Sequence, residues 1–74
     1  MKPALYNQLH QIYMQGSGGV DAGNLIDKCA TRELIRMGLV DNTGGPPSSI
    51  DRVYINRTGS IEYVTLTKGI RHAQ

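Results

Sequence analysis

The run "DNTGGPPSS" at residues 41–49 constrains this chain more than any other stretch. Two adjacent prolines supply no backbone donors, and the Gly, Ser and Asn around them favour turns. The run can therefore be neither helix nor central strand, and reads as an exposed connection. It separates a first half with helical periodicity from a second half rich in β-branched residues.

In the first half, Pro3 suits the opening turn of a helix, and Leu5, Leu9, Ile12 and Tyr13 lay an apolar stripe on one face, which predicts a helix over 3–15. Gly16, Gly18 and Gly19 stop it. A phosphate-cradling loop would need GxxxxGK[ST] spacing after a strand, and both are missing. Asp21 is a good N-cap, and Leu25, Ile26, Cys29, Ala30, Leu34 and Met37 then recur at helical intervals, which predicts helix over 22–38. Thr31, followed by Arg32 and Glu33, also resembles a fresh helix start, so one helix or two is left open. Gly38 stands where a left-handed C-cap belongs, with Leu39 and Val40 able to pack back on the last turn.

Beyond the loop 41–50, "DRVYIN" and "SIEYVTL" are β-prone runs separated by "RTG", which predicts a β-hairpin over 51–66. The tail 67–74 has Thr67 as a cap and room for barely two turns. The expected class is α+β: two or three N-terminal helices followed by a β-hairpin.

A chain of 74 residues is expected to hold one domain, because at this size only ~60% of the unfolded surface is buried. With no Trp, no Phe and four Tyr, the core must come from aliphatic residues, an economy that dimerisation would support. Tyr6, Tyr13, Tyr54 and Tyr63 read as packing residues, and Cys29 as a small buried hydrophobe. The formal charge of +2 is mildly basic, well short of a strong polyanion binder. One cysteine with His10 and His72 forms neither a disulfide nor a closed metal site, and neither histidine has an identifiable catalytic partner. An enzyme, a metal, a cofactor and a small-molecule ligand are therefore not indicated. The N-terminal residues lack the apolar core of a signal peptide and no stretch reaches membrane-spanning length, so a cytoplasmic protein is expected and the "NRT" at 56–58 is set aside as a sequon.

The order of helix, tight linker, helix closing on "LIRMGLV", hairpin and "YVTLTKG" resembles the winged helix-turn-helix superfamily of small bacterial and phage DNA-binding proteins. Leu34 or Ile35 through Gly38, Leu39 and Val40 match a Leu-x-x-x-Gly-Leu-Val type sequence on which a helix of that superfamily commonly ends, and Leu66, Thr67 and Gly69 resemble a Leu-Thr-x-x-Gly type sequence into which the last wing strand often runs. The resemblance covers about residues 4–70. It departs from the family in fitting very little chain between linker and cap, and in a nearly absent C-terminal helix.

The resemblance implies a compact winged helix that binds double-stranded DNA, such as a phage or mobile-element transcriptional regulator, with a helix in the major groove and a wing on the backbone or minor groove. On that reading Lys28, Thr31, Arg32 and Arg36 share the polar helix face, and Arg32 is the candidate for a guanine contact. Arg57 sits at the hairpin tip, and Arg52, Lys68 and Arg71 extend the footprint. Asp27 and Glu33 neutralise part of it. The rival expectation is a protein-interaction module on the same scaffold, using the Pro-Gly loop and the hairpin edge. A homodimer is compatible with either.

Overall fold

The computed structural model describes residues 1–73, with side chains through residue 70. Helix α1 spans Pro3–Gln15, strand β1 Val20–Asp21, helix α2 Lys28–Arg36, strand β2 Val40–Asn42, strand β3 Arg52–Ile55 and helix α3 Arg57–Ala73. Single 3-10 turns at Gly16–Gly18 and Ala22–Asn24 flank β1. The fold class is α+β, with three α-helices and a three-stranded antiparallel sheet in the order β1-β3-β2.

Helix α1 starts with Pro3 in its first turn and stops at Gly16, as its sequence predicts. Its buried face is Gln8, Leu9 and Ile12. Leu9 and Ile12 join Val20, Leu34, Leu39, Val40, Val53 and Tyr63 in one core shared by α1, α2, α3 and the sheet. Register explains the sheet's share: Val20 lies opposite Val53 on β3, and Val40 opposite Ile55, two residues further along the same strand and therefore on the same face.

The stretch 22–38 is not continuous helix. Ala22–Asn24 makes one 3-10 turn, Leu25 is extended, and α2 begins at Lys28. The cap of α2 is Asp27 rather than Asp21 or Thr31: an Asp27 carboxylate oxygen accepts from the Ala30 amide at 3.0 Å. Its end is a Schellman motif. Gly38, at φ +77°, donates to the Ile35 carbonyl at 3.0 Å, and Leu39 donates to the Leu34 carbonyl at 3.1 Å, which carries Leu39 into the core.

The hairpin predicted over 51–66 is corrected. Its first run is β3, but that strand pairs backwards in sequence with β2, so residues 43–51 form the hairpin loop; the second run, "SIEYVTL", lies inside α3. Asn56 is the reason at the local level, because its Oδ1 accepts from the Gly59 amide at 2.8 Å and starts a helix where "RTG" reads as a turn. Packing is the larger reason. Gly59 and Tyr63 repeat at four residues and are both buried, Gly59 against Leu39 and Ile55 and Tyr63 against α1, a period that suits a helix better than strand alternation. Residues 67–73 of the expected tail accordingly complete a 17-residue helix instead of forming two isolated turns.

The loop 43–51 is ordered chiefly by the Asn42 side chain, with the Thr43 hydroxyl bonded to Asp51 and Arg52 at its base. The Asn42 amide nitrogen lies 3.3, 3.2 and 3.0 Å from the carbonyl oxygens of Gly45, Pro46 and Ser49, and its oxygen accepts from the amides of Gly44 and Asp51, both at 3.1 Å. Asn42→Ala is expected to loosen this loop while leaving the core intact. Hydrogen exchange at the Gly44 and Asp51 amides should accelerate by up to about tenfold, the equivalent of ~0.5–1.5 kcal/mol for lost, largely exposed hydrogen bonds.

Candidate nucleic-acid interface

Helix α2 has two faces with different tasks. Ala30, Thr31 and Leu34 are buried, with Thr31 and Leu34 fully so. Lys28, Arg32 and Arg36 follow one another at four-residue spacing on the other side, which aligns them along the helix. Lys28 and Arg36 are exposed and Arg32 is half-buried. Arg36 pairs with Glu33 at 3.0 Å, but both side chains are more than half exposed, so this contact is weak and open to exchange. Nη1 of Arg32 lies 3.7 Å from the Sγ of Cys29.

Thr31 is excluded from this face. Its hydroxyl donates to the Asp27 carbonyl at 2.9 Å, one turn earlier, a bond that satisfies the oxygen and lets the residue pack inward. Cys29 has moved the opposite way, from the expected core to the surface. Both changes follow from where α2 starts: a helix begun at Lys28 and packed through 30, 31 and 34 turns position 29 outward.

The remaining candidates are dispersed. Arg52 bonds to Asp21 at 2.7 Å and donates to the Gly18 carbonyl at 2.6 Å, so it ties β3 to β1 and to the turn before it. Arg57 is exposed in the first turn of α3 and not at a hairpin tip. Lys68 borders a groove between α1 and α3. The side chain of Arg71 lies outside the described residues. Between residues 37 and 51 the chain carries Asp41 and Asp51 and no cation, so the actual hairpin is neutral to acidic.

Three polar residues that sequence reasoning passed over hold this region in place. Gln8 is fully buried in α1, and its Oε1 accepts from the Asp27 amide at 2.7 Å. Gln8 Nε2 donates to Gln11 Oε1, which also accepts from the Ile26 amide, while Gln11 Nε2 donates to the Asn24 carbonyl. These bonds satisfy the backbone between the 3-10 turn and α2, where no second helix does so. Asn56 donates to the Gly38 carbonyl at 2.8 Å and joins the end of α2 to the start of α3. The Asn56 role was signalled by "NRTG", and the Asp27 cap by "DKCA", each a capping residue three positions before the amide it accepts from, whereas Gln8 and Gln11 act on distant backbone and left no local signal.

A second cluster lies between α1 and α3. Tyr63 stacks with Tyr13 at a centroid distance of 4.3 Å and with Tyr6 at 5.5 Å, and its hydroxyl is hydrogen-bonded to His10 Nδ1. Burial pushes the Tyr63 phenol above its ordinary range. Among the described residues no cluster of His, Cys, Asp and Glu has the makings of a metal site, and no helix is long and apolar enough to cross a membrane.

Compared with known proteins, the chain has no significant match to any family model, curated protein or solved structure.

Proposed function

We propose that this protein binds double-stranded DNA through the outward face of α2, as a small transcriptional regulator of winged-helix type acting in the cytoplasm. The observation that carries the reading is the in-line set Lys28, Arg32 and Arg36 on a helix fixed at both ends, by Asp27 and Gln8 at its start and by the Gly38 cap at its finish. A guanidinium on such a helix can bond O6 and N7 of guanine together, while the flanking cations meet phosphates. The element order supports it too: helix, short strand, one 3-10 turn in the place of a second helix, α2, then a hairpin whose last strand is central in the sheet.

Arg32→Ala should then weaken binding to a preferred duplex by ~1–3 kcal/mol, about 5- to 150-fold, and relax sequence preference, whereas Lys28→Ala should weaken all sequences alike. With at most three cations on this face, log K against log salt should fall with a slope of about −2 to −3 in a fluorescence-anisotropy titration. No binding to mixed duplexes at low salt overturns the proposal.

One observation favours a second reading, a protein-interaction module: the hairpin loop is pre-organised by Asn42 yet has no cation with which to meet a phosphate backbone. Salt-tolerant binding of a protein through residues 43–50, without DNA affinity, would establish it.

A further inference from the structure

The groove between α1 and α3 has a volume of about 310 Å³ and is lined by Tyr13, Tyr63, Val64, Thr67 and Lys68. We infer that it binds a small planar aromatic carboxylate, a site independent of the DNA-binding reading and unforeseen in the sequence.

Three features of the groove select that chemistry. The first is the aromatic wall. Tyr6 and Tyr13 both stack on Tyr63, and Tyr13, half-buried, is a terminal ring of the stack that borders the groove. Tyr13 and Tyr63 both border the groove, so a flat ring seated there meets aromatic surface, and Val64 adds apolar contact. The second is charge. Among the described residues Lys68 is the one charged side chain in the lining and no carboxylate shares it, so the groove as described favours an anion over a cation. Thr67 supplies a hydroxyl beside it that is already engaged with the Tyr6 hydroxyl at 2.7 Å, so the acid group is held chiefly by Lys68. The third is size. A volume at the lower bound of ligand pockets is room enough for one ring and its acid group.

The chosen probe is benzoate, with benzamide as its neutral counterpart of the same shape, each titrated into isotope-labelled full-length protein and followed by NMR. Benzoate should shift signals of Tyr13, Tyr63, Val64, Thr67 and Lys68 with a Kd on the order of 1 mM, and benzamide should bind about fivefold more weakly, the share of one exposed charge contact. Lys68→Met should remove that difference without altering benzamide binding. Tyr13→Leu should abolish both, and because it also trims packing, Lys68→Met at an exposed position provides the variant whose folding is not in question. Absence of localised shifts, equal affinity of the native protein for the two probes, or benzoate binding untouched by Lys68→Met each overturns the inference.

Discussion

Gly59→Ala should lower the stability of this protein by ~3 kcal/mol or more, although alanine is the better helix former by about 1 kcal/mol. Gly59 lies in the first turn of α3, where a Cβ would overlap the Leu39 carbonyl oxygen and come within 2.9 Å of Cγ1 of Ile55. Leu39 is itself buried and held by the Gly38 cap, so its backbone has nowhere to retreat. Steric overlap with backbone outweighs propensity here. Gly69→Ala in the same helix provides the contrast. Gly69 is exposed, a Cβ there meets nothing within 4 Å, and the substitution should stabilise by up to ~1 kcal/mol. Urea denaturation of the two variants gives opposite signs if α3 docks as described; two stabilised variants would mean that its first turn does not sit on Leu39.

Gln8→Ala should cost ~2–4 kcal/mol, the sum of a cavity and of buried groups left without partners. Gln8 is fully buried, and its loss strands the Asp27 amide and removes the donor to Gln11. Gln8→Met separates the two contributions, since it fills the volume and returns only the packing share, leaving ~1–3 kcal/mol of loss. The same variants bear on function. If Gln8 sets the position of α2, Gln8→Met protein that remains folded should show altered amide shifts from Asp27 to Thr31, and unaltered shifts there would assign Gln8 to stability alone.

How far this protein could be read from its residues depended on whether the deciding interaction was local. The bounds of α1 followed from Pro3 and Gly16, and the end of α2 from Gly38, because each acts within its own turn of chain. The α+β class survived for the same reason. The hairpin was misplaced because "SIEYVTL" has strand-like composition, while the choice between strand and helix was made by packing of Gly59 and Tyr63 against distant parts of the chain. Within the site, Lys28, Arg32 and Arg36 were legible as one helical face. Thr31 was not, since a hydroxyl that bonds to its own helix backbone is as fit for burial as for solvent. Arg52 and Lys68 were assigned by charge alone, and charge says nothing of the Asp21 carboxylate or the tyrosine groove beside them.

The clamp on the hairpin loop has a bearing on how this protein can diversify. Every partner of the Asn42 side chain there is a backbone amide or carbonyl, a group that all residues supply at those points. The shape of residues 46–49 is thus largely decoupled from the identity of their side chains, whereas Thr43 bonds Asp51 and Arg52, Gly44 lies too close to the Ser49 carbonyl to accept a side chain, and Gly45 sits at φ +95°. Residues 46–49 form an interchangeable cassette: new chemistry can be written into them, by selection or by design, and presented in a conformation already prepared, with the core of the protein none the wiser.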